Sequence, residues 1–294
     1  MNNKIFSGLE QMGFDDVSHL KIYKEKNIEN QKNEIDKIKS LLYTKTLKCP
    51  VCGNEFKAIS VKSSAYRAVK KDTDFFIRYD LINPYFYDVW LCNKCGYAAM
   101  KTDFEKLYSR EAETILEKIT PKWKGREYPV IYDVHIAIER YKLSLLNYVV
   151  IDSYASKKAM NCLKLAWMYR LIDSDSAKEM ELMFLKEALS GFQDAYYNER
   201  FPIYGMNKFT AMYLIGELHR RTGNYDDALV WFSNVVTTPG VKAKLKDLAR
   251  DQKDLLKEEI AKARIEAEKC SQAPTEDFEV PIKKSSIFSK LFNK

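Results

Sequence analysis

Two Cys-x-x-Cys-Gly segments, Cys49-Pro50-Val51-Cys52-Gly53 and Cys92-Asn93-Lys94-Cys95-Gly96, constrain this chain more than any other feature. Two such pairs bring four thiolates to one point, and four thiolates close a tetrahedral site that suits zinc. The glycine after each pair lets the chain turn tightly enough for backbone N–H groups to point at sulfur. With every position taken by protein, such an ion is structural rather than catalytic. The sequence therefore predicts one structural Zn2+ held by Cys49, Cys52, Cys92 and Cys95 in a small β zinc-ribbon-like module. Redox use of the CxxC pairs is disfavoured, because the two pairs converge as a single ligand set. The 39 residues from Gly53 to Leu91 exceed the usual ribbon spacing, so an insertion must loop out and return.

Composition places few further limits. The 294 residues suffice for one large domain or two modest ones. No stretch approaches the roughly 20 consecutive apolar residues needed to span a bilayer. The segment from Met1 to Gly8 has no signal-peptide core or cleavage site. Together with reduced cysteines this predicts a cytoplasmic protein. The net charge of +7 is spread through interleaved Lys, Arg, Asp and Glu, without the concentrated basic face of a nucleic-acid binder.

Five regions follow from pattern. Residues 1–45 read as a polar, partly helical arm, with Phe6, Leu9, Phe14, Val17, Leu20 and Tyr23 as a short amphipathic element and Lys24 to Lys39 as an exposed helix. Residues 46–100 form the four-cysteine module, with strand-like runs at Phe56–Val61 and Tyr85–Leu91 beside the knuckles. Residues 101–125 are a connector, helical to Ile119 and broken at Pro121 and Gly125. Residues 126–269 repeat apolar positions every three or four residues, as antiparallel helices do. Residues 270–294 form a flexible tail that ends basic. The expected fold class is mainly α, with a small β module and an irregular C-terminal helical array.

Within the helical region, Ala211 to Phe232 resembles one tetratricopeptide (TPR) unit: small Gly216, then small Ala228 twelve residues later, then Phe232. Gly223-Asn224 supplies the turn, and Asp226 favours the N-terminus of the second helix. A weaker unit starts at Leu165-Ala166-Trp167 and continues in a long helix from Ser176 to Arg200; helices at Ile131–Ser153 and Val241–Glu268 would cap the ends. In this register Trp167, Arg170, Tyr213, Glu217, Arg220 and Arg221 face a concave groove, whose aromatic and arginine groups suit an acidic protein or peptide partner.

The insertion offers a different reading. Seven aromatics lie between Phe75 and Trp90. Phe75, Phe76 and Tyr79, near Arg67, Lys70 and Lys71, have the composition of a single-stranded nucleic-acid platform. Equally, a small metal module can use aromatics as its own core, and Asp72, Asp74, Asp80 and Asp88 would repel phosphates. No catalytic site is expected. The three histidines, His19, His135 and His219, lie near no nucleophile motif, and Gly-rich phosphate loops, GxSxG and HExxH are missing. His135 and Glu139 share a helix face only as an ordinary i,i+4 pair.

The segments Lys48–Gly53, Arg67, Asp72-Thr73-Asp74-Phe75, Asn83-Pro84, Tyr87 and Trp90–Ala99 together resemble a bacterial family known as domain of unknown function 2225. The resemblance extends through Leu165–Arg170 and the TPR-like unit. It implies a domain layout and no assigned activity. The reading from sequence is thus a non-catalytic zinc-containing adaptor that binds a protein through its helical groove, with nucleic-acid binding as the alternative. Ile287, Phe288, Leu291 and Phe292, among the tail lysines, add the expectation of weak, reversible membrane contact.

Overall fold

Each knuckle is the turn of a β-hairpin. In the computed structural model, which describes residues 28–271, helix α1 (Ile28–Ser40) leads into β1 (Leu42–Lys48). This strand pairs antiparallel with β2 (Glu55–Val61) from Leu42↔Val61 to Lys48↔Glu55, so the pairing closes directly on the first knuckle. The second knuckle joins β5 (Val89–Leu91) to β6 (Ala98–Met100), with Leu91 opposite Ala98. Between the two hairpins, β3 (Ala68–Lys71) and β4 (Ile77–Tyr79) make a third, whose tip is Asp72–Phe76.

The strand expected over Tyr85–Leu91 is shorter than its composition suggests. Pro84–Tyr87 is a 3-10 turn, and only Val89–Leu91 is extended. Pro84 occupies the first turn, where its missing N–H costs nothing, and the Asn83 side chain accepts the Tyr85 N–H at 3.0 Å. A local cap therefore overrides the β-preference of the aromatic run.

After α2 (Ser109–Lys118) the chain is helical: α3 (Val134–Val150), α4 (Ala155–Tyr169), α5 (Asp175–Asn198), α6 (Lys208–Arg221), α7 (Tyr225–Thr237) and α8 (Ala243–Ser271). Their starts are set by side chains that accept otherwise unpaired first-turn N–H groups. Asp133 takes the Ile136 N–H at 2.8 Å, Ser174 that of Ala177 at 3.2 Å, and Asn207 that of Thr210 at 2.9 Å. Successive helices from α3 to α8 pack on one another. In the α6–α7 pair, Gly216 lies under the Phe232 ring, and Ala228 and Phe232 are fully buried. None of the described helices is long and apolar enough to cross a membrane.

Ribbon and helices share one apolar core, which runs from Leu47 and Trp90 through Tyr141 and Tyr148 to Leu189 and Leu218. Helix α3 is the seam. Its Tyr141 hydroxyl donates to the Tyr85 carbonyl at 3.0 Å. The Tyr148 hydroxyl accepts the Met100 N–H at 3.0 Å and donates to the buried Asp103 carboxylate at 2.9 Å. The amphipathic element expected at Phe6–Tyr23 and the basic tail lie outside the described residues.

The α4–α5 crossing depends on Gly191, which the sequence reading did not single out. A Cβ there would sit 2.9 Å from Ala159 Cβ and 3.2 Å from the Ala155 carbonyl oxygen. Gly191→Val is expected to lower stability by about 1–3 kcal/mol through overpacking, more than helix propensity returns. Urea denaturation checks this; an unchanged midpoint would refute the close crossing.

Candidate metal centre

Cys49 and Cys52 leave the β1–β2 turn, Cys92 and Cys95 the β5–β6 turn, and their four Sγ atoms lie within 4.8 Å of one another. Cys49 Sγ is 3.6 Å from Cys95 Sγ, and Cys52 Sγ is 3.7 Å from Cys92 Sγ. These separations far exceed the roughly 2.05 Å of a disulfide and match sulfurs that share one ion. The knuckle backbone is arranged for thiolates. The Val51 and Cys52 N–H groups point at Cys49 sulfur, those of Lys94 and Cys95 at Cys92 sulfur, and that of Tyr97 at Cys95 sulfur. Gly53 and Gly96 have φ of 68° and 79°, which a side chain would resist.

Crowding makes Cys49, Cys92 and Cys95 compete for protons. Hydrogen bonds from the Cys49 and Cys95 thiols hold Cys92 far below the usual thiol range. Cys49 is pushed up to about 12 by its contact with Cys92, and Cys95 is raised by Cys49 and Cys92. A metal ion binds the deprotonated thiolates, so its binding would release protons.

The connector clamps the second knuckle. Trp123 packs on Gly96, where a Cβ would meet the indole at 2.8 Å, and its Nε1 donates to the Asn93 carbonyl at 2.8 Å. Thr120 Oγ1 donates to the Cys95 carbonyl at 3.0 Å, and Asn147 Nδ2 to the Gly96 carbonyl at 3.3 Å.

The residues expected to line a partner groove come together, but around the chain's own insertion. The Asp72–Phe75 tip lies across α4 and α6. Arg170 donates to Asp72 Oδ2 at 3.2 Å and to both Asp74 oxygens at 3.1 and 2.7 Å, while its Nε bonds Glu181 at 2.6 Å. Trp167 Nε1 bonds Asp74 at 3.1 Å, and the Tyr213 hydroxyl donates to the Thr73 carbonyl at 3.1 Å. Arg221 reaches Thr73 Oγ1 at 3.0 Å and Glu217 at 2.6 Å, and Arg220 bridges Glu217 to Glu259 on α8. Trp167, Arg170, Tyr213, Glu217, Arg220 and Arg221 are therefore partnered within the chain rather than presented in an open groove. The acidic, extended segment that this chemistry favours is Asp72-Thr73-Asp74.

The rings of the aromatic insertion pack against the rest of the chain in the same way. Phe76 is fully buried and stacks on Trp167 at 5.3 Å; Phe75 lies against Tyr213 at 5.4 Å and Tyr79 edge-on to Tyr85 at 5.8 Å. Arg67, Lys70 and Lys71 are exposed, and Lys71 Nζ lies 4.7 Å from the Phe75 ring centroid, while Phe75 and Tyr79 are half-buried and only Phe76 is fully enclosed. His135 is exposed and Glu139 pairs with Arg126 and Tyr128 instead.

Asp74 is 0% exposed. Burial by itself would raise its pKa, but hydrogen bonds and charge from Arg170, then the charge of Arg221, outweigh it and hold the carboxyl below its ordinary value. Asp72 is lowered in the same way, against burial, by Arg78 and Arg170. Groups depressed on folding stabilise fully above their unfolded pKa, about 3.9 for aspartate, and lose that contribution as pH falls through the folded value. Wild-type stability should thus decline below about pH 4. Asp74→Ala, which removes the buried carboxylate that takes two of the Arg170 hydrogen bonds but leaves Asp72 and Glu181 in place, should cost about 1–3 kcal/mol at neutral pH and flatten the acid limb. Urea midpoints measured between neutral and acid pH test both; a neutral-pH loss below about 1 kcal/mol would show that the cluster is incidental.

The chain belongs to the bacterial family described as "Uncharacterized protein conserved in bacteria (DUF2225)", whose model matches residues 42–256, from the first residue of β1 into α8. No curated protein and no solved structure matches it.

Proposed function

We propose that this member of the family is a non-catalytic, zinc-containing cytoplasmic adaptor, in which the metal module and the TPR-like helices form a single support for a protein partner. The observation that carries the reading is the closed sulfur set. For metal–sulfur bonds of about 2.3 Å a regular tetrahedron has edges of about 3.8 Å, close to the 3.6 and 3.7 Å separations found here. Four thiolates select zinc over hard cations and leave no position for a substrate. When bound, the ion supplies folding free energy, on the order of 10 kcal/mol for such sites, and fixes the roots of the insertion whose tip fills the helical groove.

With that groove filled, a partner must dock elsewhere on the support or displace the Asp72–Phe75 tip. Nucleic-acid binding by the insertion is the less favoured reading, because Phe76 is fully buried on Trp167 and Phe75 packs on Tyr213.

Elemental analysis of the purified full chain should give one equivalent of zinc. Cys92→Ala should lose the metal and unfold at lower denaturant concentration. A chain with well under one equivalent, or a variant that keeps both metal and stability, would overturn the structural-zinc assignment. For the adaptor role, affinity capture by the zinc-loaded chain should enrich a protein that Cys92→Ala does not retain; equal retention by both would remove the metal-built support as the binding surface.

A further inference from the structure

Helix α3 carries a buried arginine whose guanidinium no carboxylate contacts among the described residues, although the neighbouring Glu139 charge acts on it from a distance. Arg140 is 6% exposed, and its guanidinium has five N–H donors. Among the described residues it makes one hydrogen bond, from Nη2 to the Val89 carbonyl at 2.7 Å, and Nε is buried without a partner. The adjacent Glu139 is held by Arg126 at 2.8 Å and by the Tyr128 hydroxyl at 2.7 Å. Tyr128 and Tyr132 face the guanidinium with ring centroids 5.1 and 4.9 Å from Cζ. Such contacts soften a buried cation without neutralising it.

The contrast with Arg170 is direct. There, carboxylates outweigh burial and raise the pKa, whereas burial leaves Arg140 lowered. A buried cation without an anion is costly, and unsatisfied buried donors in native folds call for a missing partner.

Arg140 borders a cavity of about 330 Å3 between β2, the second knuckle and the segment before α3. Lys57 and Arg126 also line it, with Glu127 as the acid on its wall, and Tyr128 and Tyr132 supply flat apolar surface. The volume is within the range of small-molecule sites, roughly 300–1,000 Å3.

We propose that this cavity binds a small molecule bearing an oxyanion, a carboxylate or a phosphate, which the Arg140 guanidinium receives while the tyrosine rings hold the body of the ligand. A guanidinium fork matches either group, and Lys57 at the rim adds attraction. Because the walls belong to both the ribbon and α3, an occupied site ties the metal module more firmly to the helices, independently of any adaptor role.

Calorimetric titration of the full zinc-loaded chain at low salt, with inorganic phosphate and separately with succinate, tests this. Saturable 1:1 binding of at least one probe is expected, with a rise in melting temperature. Preference for phosphate assigns a phosphate ester, and preference for succinate a carboxylic acid. Arg140→Met should weaken binding at least about tenfold and, with no anion added, melt no lower than wild type, since it removes a buried charge that no carboxylate contacts. Should Arg140→Met fail to fold, the exposed Lys57→Glu decides, with binding several-fold weaker. Failure of both probes to saturate the wild type, or affinities unchanged in whichever variant folds, would overturn the site.

Discussion

Four sulfurs brought to one point are the constraint on which the rest of this structure depends. Each hairpin is short, and β5 and β6 have only three residues each, too little to stand alone. Joining the two knuckles fixes residues about 40 positions apart, and the chain between them is thereby anchored at both roots. That anchorage lets the insertion reach out as a third hairpin and place its tip on the helices. The connector completes the mount: Trp123, Thr120 and Asn147 hold the second knuckle from the helical side.

At the far end of the insertion, charge does what sulfur does at its roots. Asp72, Asp74 and Glu217 meet Arg170, Arg220 and Arg221, with Thr73 passing a hydrogen bond between the two sets. Buried ions cost more in desolvation than an isolated pair returns, so such a cluster is a poor source of stability compared with apolar packing. Its geometry, however, is exacting: slipping the tip by one residue would leave several charges unpaired in the interior. The cluster therefore specifies where the tip sits, while Phe76 on Trp167 supplies the apolar contact. Arg140 breaks this pattern of mutual neutralisation, and for that reason it marks a cavity rather than a joint.

A helical array that carries its own acidic strap differs from an open peptide-binding solenoid. The aromatic and arginine residues typical of a ligand groove are present, yet their hydrogen-bonding capacity is consumed at home. A partner for the groove would have to compete with an intramolecular segment tethered at both ends, which has the advantage of high effective concentration.

Much was legible in the sequence because it depends on local spacing. The knuckles declare themselves by CxxCG, α5 by a long helical run from Ser176 to Arg200, and the α6–α7 pair by Gly216, Ala228 and Phe232. Arg170, Arg220 and Arg221 were legible as charges sharing one surface, and in the structure Asp72, Asp74 and Glu217 pair with them. Arg140 also left a signal, since Ala137, Arg140, Tyr141, Ser144 and Tyr148 form one buried stripe of α3 with a charge in it. What spacing cannot encode is which distant segment meets which surface. Asp74 and Arg170 are 96 residues apart and Thr73 and Arg221 148 apart; only the closed chain shows that strap and groove are the same molecule. The sequence by itself determined which four cysteines could hold a metal ion and the helical register, because both follow from short-range geometry. The tertiary structure alone decided that the groove is filled and that no carboxylate contacts one buried arginine, because burial and charge balance are properties of the assembled core.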